Sequence, residues 1–587
     1  MKSKYLSIAV LSALALASCN LDQLPKSELS PENSFSTENE LKLYINGLLP
    51  QMTGSTSETA DNGIRTTLPD YMTGVRSSTI SAGSWSWGNL RKINIFFKYS
   101  PNCKDDNVRV KYEAMAHFLR AKFYYEKLKT FGGVPWYDIV LDDNSPELYN
   151  PRDSRDFIAD KILEDLDIAI LSLPEAKSIN TITLWSALAL KSRFCLFEGT
   201  FRKYHGLEGA DRFLEQCVTA SEALMTSGKF SIDMTGGPST AYRDLFAQPL
   251  TNDASPIEVI NAQAYNFSLG VKHGFNYALT NPAGNKMGFE KTFVNSYLMA
   301  DGSRFTDRPG FATMTFGEEF QGRDPRMAQT IAGPGFTRVG ETEAVTENLT
   351  NAVTHSVTGY MPIKYYAGSL ADAQNSNEND VIIYRYAEVL LNYAEAKAEL
   401  GTLTQDDLDL SVKLIRDRVA MPGIDLDEAN RNPDPYLAGM YPAVQGGNKG
   451  VILEIRRERR IELAMEGLRY DDIMRWKAGA LFIPRFHGAY FPGTGGYDLN
   501  GDGKNEIYLY VDNRPPTPLL RGAKPLKIGL DVFLSDGTSG YLVANIDRVK
   551  SWNEQRDYLA PIPSTALVLN PNLEQNPYWD TPGNKNQ

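Results

Sequence analysis

Oxygen-bearing side chains recur at alternate positions in the segment 498–506. A glycine occupies position 6 of this segment, where a calcium-binding loop of the EF-hand type needs a sharp turn. Position 12 is Leu509, so the bidentate glutamate of a complete EF-hand is missing. The spacing predicts a structural Ca²⁺ site, for which the alternative is a polar turn without metal. Its ligands, at positions 1, 3, 5 and 9, would be Asp498, Asn500, Asp502 and Glu506.

Trp85 and Trp87 form a second candidate site, between a segment rich in glycine, serine and threonine and a helix-like stretch. Alternate residues of an extended strand point to the same side, so both rings would face one way there. Such a pair suits either a wall of the hydrophobic core or a two-ring platform, because an aromatic face packs against the apolar C–H face of a sugar ring. The pattern predicts ligand binding at Trp85 or Trp87.

Three further residues are candidates for contacts to the same ligand. Tyr277 lies in an irregular central region and carries both a ring and a hydroxyl donor. Asp70 and Tyr71 lie upstream of the tryptophans and would supply polar contacts. All three are ligand-binding candidates.

The first residues carry the signals of export and lipidation. Lys2 and Lys4 precede the apolar run 5–17, which is too short for a stable membrane span. The segment Leu16-Ala17-Ser18-Cys19 resembles a lipobox, in which the cysteine thiol takes a diacylglycerol. We expect a signal peptide over 1–18 and a lipid on Cys19. The alternative is a plain signal peptide cut near Ala17.

Composition argues against catalysis and against nucleic acid as a partner. The formal net charge is −12, whereas phosphate binding needs a basic face. The 72 acidic residues make chance carboxylate pairs inevitable, and no motif singles out a glycosidase pair. A G-x-S-x-G elbow is missing from the sequence. We therefore predict no catalytic residue, and we expect Cys195 and Cys217 to be buried thiols.

Helical periodicity dominates two parts of the chain. Ala114, Phe118, Ala121, Tyr125 and Leu128 fall on one helix face. Further helices are predicted at about 157–172, 181–198, 211–227, 385–400, 405–419 and 451–466. Residues 20–60 are predicted to be an extended polar lead, and 235–380 and 479–550 to be loops with short strands. The fold class is mainly α, with helical hairpins of the tetratricopeptide type and loop-rich insertions.

A run of alternating charges occupies 454–462. From charge alone it suits a solvated face or a nucleic-acid patch. Because its signs cancel, we predict a structural role in ion pairs at i,i+4 spacing and in helix packing.

Several segments, spread over nearly the whole mature chain, resemble the SusD/RagB family of outer-membrane nutrient-binding lipoproteins. The most specific are Phe131-Gly132-Gly133-Val134-Pro135, Tyr384-Arg385-Tyr386-Ala387-Glu388, Glu458-Arg459-Arg460-Ile461-Glu462-Leu463 and Tyr558-Leu559-Ala560-Pro561-Ile562-Pro563. The resemblance implies a single domain over 19–587, with halves at about 20–380 and 381–587.

The resemblance also implies a function. It predicts a lipid-anchored protein of the outer membrane, at the cell surface, that binds glycans without catalysis and caps a SusC-like TonB-dependent transporter. Some relatives capture peptides, so a peptide ligand is the first alternative. A surface-anchored hydrolase is a second alternative from a different class.

Overall fold

The computed structural model describes residues 34–58, 60–78, 82–250, 257–281, 286–341, 356–513, 522–544 and 547–579. Cys19 and the predicted signal peptide lie outside these residues. Within the described residues, no helix combines the length and the apolar character that crossing a bilayer requires.

Helices dominate residues 106–226, as predicted, and further helices precede them. Consecutive long helices pack in pairs, α4 on α5 and α6 on α7. The helices of this part are α1 (Glu38–Leu48), α2 (Asp70–Thr73), α3 (Gly88–Tyr99), α4 (Asp106–Phe131), α5 (Arg155–Ser172), α6 (Leu184–His205) and α7 (Ala210–Thr226).

Helix α4 buries the apolar face that the sequence predicts. The five apolar residues predicted to share one of its faces are all buried. The helix ends at Gly132, whose φ of +75° favours glycine. At Gly133 an added Cβ would lie 2.1 Å from the carbonyl oxygen of Asp153. The two glycines therefore end the helix and let the following chain pass close to the start of α5.

The prediction of an extended lead over 20–60 was wrong for its second half, which contains α1. Thr37 and Glu40 form a capping box at its start, and Leu41, Ile45 and Leu48 are buried at i, i+4 and i+7. The Thr-x-x-Glu spacing is a recognised start signal for a helix, so the sequence did contain the evidence.

The central region consists of short elements, in agreement with the prediction of loops and small strands. Strand β2 pairs antiparallel with β4, and β1 with β3. The strands are β1 (Gly63–Ile64), β2 (Val259–Gln263), β3 (Gly288–Phe289) and β4 (Val381–Arg385). The helices are α8 (Ala241–Ala247), α9 (Phe275–Thr280), α10 (Lys291–Ser296), α11 (Phe316–Glu319) and α12 (Pro325–Thr330).

Helices return after β4, and a region of short strands follows them. The helices are α13 (Tyr386–Leu400), α14 (Gln405–Asp409), α15 (Val412–Asp417), α16 (Leu426–Arg431), α17 (Pro435–Met440), α18 (Lys449–Glu462), α19 (Arg469–Arg475) and, near the end, α20 (Ser564–Leu569). The strands are β5 (His487–Phe491), β6 (Gly495–Tyr497), β7 (Ile507–Tyr510), β8 (Lys524–Lys527) and β9 (Gly540–Val543).

Three of the predicted helices have different bounds in the structure, among them the helix predicted at 181–198, which is α6 (Leu184–His205). The segment 405–419 is divided into α14 and α15, because the backbone leaves the helical region at Ser411. The Ser411 hydroxyl donates to the carbonyl oxygen of Asp407. Helix α18 ends at Glu462, before Met465, which has a φ of +65°.

Two large apolar clusters, with a small third one of Leu298, Val419 and Met421, form the core of the described residues. The first joins helices α1–α7 to helices of the C-terminal part, including α13, α18 and α19. The second joins α8–α12 and the central strands to β5, β7, β8 and β9. Cys195 and Cys217 lie in the first cluster as buried thiols, as predicted.

The charged run of α18 has the predicted structural role, but it is buried and its partners are distant in sequence. Glu462 accepts hydrogen bonds from Arg385 (2.7 Å), Arg326 (3.0 Å) and Arg418. Glu458 accepts from Arg326 (2.5 Å) and from Arg416 (2.8 Å). These six side chains are at most 4% exposed. The network therefore ties α18 to α12, α15 and β4.

Candidate functional site

Trp85 and Trp87 line a cleft of about 630 Å³. Its walls come from three separate parts of the chain, residues 85–94, 135–148 and 566–573. This volume lies within the range of about 300–1,000 Å³ typical of small-molecule sites. The cleft therefore unites the start of α3, the segment that follows α4, and α20 with the residues after it.

The tryptophans do not lie on an extended strand, so that part of the prediction was wrong. Trp85 ends a short 3₁₀ turn, and Trp87 immediately precedes α3. Their ring centroids are 5.5 Å apart and the ring planes meet at 86°. The pair therefore presents two differently oriented rings, and it does not form one flat two-ring platform.

Aromatic side chains behind the pair hold both rings in place. Trp85 meets the ring of Phe131 edge to face at 4.9 Å. Trp87 contacts the rings of Phe123 at 5.7 Å and Tyr137 at 5.4 Å. Both tryptophans are half-buried. Each indole thus packs against the core on one side and lines the cleft on another. The pair can therefore be both a wall of the hydrophobic core and a surface that contacts a ligand.

Lys127 of α4 fixes the backbone that carries the two rings. This residue is buried, and its ammonium group donates to the carbonyl oxygens of Ser86 (2.9 Å) and Ser84. Its Nζ lies 5.2 Å from the centroid of the Trp87 ring. Burial lowers the pKa of Lys127 to about 8. The lysine was not predicted, because only the folded chain brings α4 under the tryptophan turn.

Asn94, like Asn570, is a buried polar side chain that lines the cleft. Its amide nitrogen donates to the carbonyl oxygens of Tyr137 (3.1 Å) and Ile139 (2.9 Å), and its Oδ1 has no hydrogen-bond partner. Tyr137 also lines the cleft, and burial raises its pKa to about 12, so its hydroxyl keeps its proton. The cleft thus offers a neutral phenol beside the two indoles, and Asn94 supports its wall by binding the backbone of the 135–148 segment.

Charged side chains occupy the rim. The Arg91 guanidinium donates to the carbonyl oxygen of Leu141 at 2.6 Å. Asp142 and Asp143 follow that carbonyl and are exposed. On the opposite wall, the Asn570 amide nitrogen donates to the carbonyl oxygens of Leu148 (3.1 Å) and Asn150 (2.8 Å). Asn570 thereby joins the C-terminal segment to the 135–148 segment.

The structure does not bring Asp70, Tyr71 or Tyr277 into this cleft. Asp70 begins α2 and is exposed, and Tyr71 packs on the rings of Tyr470 (4.8 Å) and Phe482 (5.3 Å). Tyr277 lies in α9, whose buried residues belong to the second apolar cluster. As contacts to one ligand shared with the tryptophans, these three residues therefore lack support.

The predicted calcium loop connects β6 to β7. One carboxylate oxygen from each of Asp498, Asp502 and Glu506 lies within 4.8 Å of the other two. Asn500 accepts from the backbone of Asp502 and donates its amide N–H to Glu506 at 3.0 Å. The loop thus gathers three carboxylates, while the Asn500 amide supports Glu506. Leu509 is buried in β7 and supplies no ligand.

The electrostatics of this loop suit a cation. Burial raises the pKa of Glu506, and the neighbouring carboxylates of Asp498 and Asp502 add to that rise. Burial would also raise the pKa of Asp498, but backbone N–H groups, among them those of Gly503 (2.7 Å) and Gly501 (2.6 Å), outweigh it and lower that pKa. A divalent cation would relieve the repulsion among the three carboxylates.

Comparisons with known proteins agree with the fold. SusD-like protein P2 of Formosa agariphila is 23% identical over 98% of this chain and 99% of its own length. SusD-like protein P38 of the same organism is 25% identical over 62% of this chain and 66% of its own length.

Solved structures show the same architecture. A SusD-like protein from Bacteroides fragilis superimposes with a TM-score of 0.68, at 22% identity, over 95% of this chain and all of its own. A SusD-like carbohydrate binding protein of that species reaches the same TM-score and identity over 92% of this chain and 99% of its own. A structure described with a xylogluco-oligosaccharide has a TM-score of 0.57 at 16% identity, over 92% of this chain and 96% of its own. The mainly helical fold is confirmed.

The model of the SusD family matches residues 258–579, which is more than half of the chain. That match includes the buried network of α18 and the C-terminal wall of the cleft. The chain belongs to the SusD family.

Proposed function

We propose that this chain is a non-catalytic glycan-binding lipoprotein of the outer membrane. It captures oligosaccharide or polysaccharide at the cell surface and passes it to a SusC-like TonB-dependent transporter. The observation that carries the proposal is the cleft in which Trp85 and Trp87 lie beside Tyr137 and Asn94. A related structure described as a carbohydrate binding protein, and another described with a xylogluco-oligosaccharide, give further support.

The cleft has the chemistry of a sugar site. An indole face packs against the apolar C–H face of a pyranose, and burial of roughly 60–80 Å² at about 25 cal/mol per Å² yields about 1.5–2 kcal/mol. The Tyr137 phenol lines the same cleft and keeps its proton. Aromatic contacts provide most of the affinity, and the polar atoms fix the orientation of the ring.

The carboxylates at the cleft do not suit hydrolysis. A glycosidase places two carboxyl groups on either side of the scissile bond. Asp142 and Asp143 are consecutive residues on one rim, and both are exposed. This arrangement supports capture of a glycan without cleavage.

Trp87→Ala is expected to weaken glycan binding by more than tenfold, since about 1.5–2 kcal/mol of stacking is lost. Because Trp87 is half-buried, the variant should lose less stability than the about 3–5 kcal/mol of a fully buried tryptophan. Affinity electrophoresis against a polysaccharide panel, at a temperature where the variant is folded, measures the effect. Trp85→Ala should behave similarly.

The matched control is Trp579→Ala, which removes a half-buried indole outside the residues that line the cleft. It should bind like the parent. Unchanged binding by both cleft variants would place the glycan elsewhere. Release of reducing ends from the polysaccharides would favour a hydrolase, and binding of peptides alone would favour peptide capture.

Calcium in the 498–506 loop is a second part of the proposal, supported by the three converging carboxylates. A ligand that binds only the folded state stabilises it by about 2.7 kcal/mol at a hundredfold excess over its dissociation constant. Chelation should therefore lower the melting temperature, and Asp502→Asn should abolish that response. An unchanged melting temperature, with no calcium in elemental analysis of the untreated protein, would contradict this part.

A further inference from the structure

The charged groups around the tryptophan cleft indicate which glycans it accepts. The ionisable side chains at its rim are Arg91, Asp142 and Asp143, so one positive charge stands against two negative charges. The whole chain carries a formal charge of −12. Both the local and the long-range field therefore disfavour an anionic ligand.

The nearest buried cation is not available to a ligand. Lys127 lies beneath Trp87, and its ammonium group already donates to the Ser84 and Ser86 carbonyl oxygens. Its side chain is buried, and it is absent from the described residues that line the cleft. Arg91 is fixed at the rim by its hydrogen bond to Leu141. Neither group is arranged as a paired cationic clamp for carboxylate or sulfate.

We infer that the cleft binds neutral glycan chains and discriminates against chains that carry carboxylate or sulfate. This inference rests on the proposed function, because it concerns the same cleft. The aromatic rings supply affinity for any pyranose, whereas the negative rim supplies the selection. An anionic chain is thus disfavoured by repulsion from the carboxylates of the rim, and a neutral chain is favoured by contact with the aromatic rings.

The test compares one polysaccharide backbone in two charge states. A neutral polysaccharide that binds, taken from a panel of xyloglucan, galactomannan and laminarin, is compared with its carboxymethylated derivative by isothermal titration calorimetry. We expect the charged derivative to bind at least about tenfold more weakly at low salt, because like charges are brought together. High salt should reduce the difference in affinity between the neutral and the charged chain, because it screens the repulsion. A panel of naturally acidic polysaccharides, such as alginate and polygalacturonate, is run in parallel.

A variant of the rim separates charge from the bulk of the carboxymethyl groups. Asp142→Asn combined with Asp143→Asn removes two exposed charges and leaves the tryptophans in place. It should recover several-fold of the affinity for the carboxymethylated chain relative to the affinity for the neutral chain.

The outcomes distinguish the inference from the proposed function. Preference for an acidic polysaccharide, with affinity that Trp87→Ala abolishes, would overturn the inference alone. Equal affinity for the neutral and carboxymethylated chains, or no effect of the double variant, would also overturn it. Binding that is insensitive to both tryptophan variants, or no glycan binding at all, would overturn the proposed function and the inference with it.

Discussion

Replacement of Glu462 by alanine is expected to lower the free energy of unfolding by about 3–5 kcal/mol, which is typical of removing one partner from a buried ion pair. Glu462 is fully buried, and it accepts hydrogen bonds from Arg326, Arg385 and Arg418. Each guanidinium would lose a carboxylate partner in a region that water does not reach. The free energy lost is mainly the cost of leaving positive charge buried and unpaired.

The Glu462 carboxylate should make the free energy of unfolding depend on pH. Burial by itself would raise the pKa of Glu462, but the three arginines outweigh it and hold that pKa well below its ordinary value. A carboxyl whose pKa is lower in the folded than in the unfolded protein stabilises the fold above the unfolded pKa, about 4.3 for glutamate, and this stabilisation is lost as the pH falls below it. Glu462→Ala should therefore differ most from the parent at neutral pH.

Urea unfolding followed by circular dichroism measures this prediction. The control is Glu428→Ala, which removes an exposed partner of Arg431 and should change stability by less than about 0.5 kcal/mol. If Glu462→Ala does not accumulate as folded protein, Glu462→Gln keeps the shape of the side chain and removes only the charge. A urea midpoint equal to that of the parent for both Glu462 variants would contradict the assigned role of the network.

The extent to which sequence predicts this fold differs between local and long-range features. The face of α4 follows from apolar spacing, since Ala114, Phe118 and Leu128 repeat with the period of a helix. The ion-pair partners of α18 do not follow from the sequence, because the charges of 454–462 also suit ion pairs at i,i+4 spacing within one helix. Only the folded chain shows that Arg385 of β4, Arg326 of α12 and Arg418, which follows α15, reach Glu462. Local periodicity therefore predicted the helix but not its burial.

For the candidate site, too, the sequence predicted local features and not the long-range ones. Trp85 and Trp87 were predicted from residue type and position, and both line the cleft. Their edge-to-face geometry was not predicted, because it depends on the turn that Lys127 holds through two carbonyl oxygens. The opposite wall comes from α20 and the residues after it. No local signal in the sequence relates that wall to the tryptophans.

Cys19→Ala is expected to move the protein from the membrane fraction to the soluble periplasmic fraction. A diacylglycerol on the cysteine supplies two acyl chains, each stabilising the membrane-bound state by about 0.8 kcal/mol per buried CH₂ group. One chain gives only reversible binding, whereas two give a stable anchor. Loss of the thiol therefore removes the group to which the lipid would be attached.

Detergent phase partitioning and metabolic labelling with palmitate measure the lipid itself, independently of any association with a transporter. The matched control is Cys217→Ala, since Cys217 is buried in the first apolar cluster and takes no part in the anchor. That variant should keep both the label and the detergent-phase distribution. A Cys19→Ala protein that still enters the detergent phase and still carries palmitate would show that the lipid is attached elsewhere. A parent protein without label would mean that the signal peptide is cut near Ala17 and that Cys19 is not modified. The two readouts together decide between the lipobox and a plain signal peptide, because only a lipobox makes both depend on this one thiol.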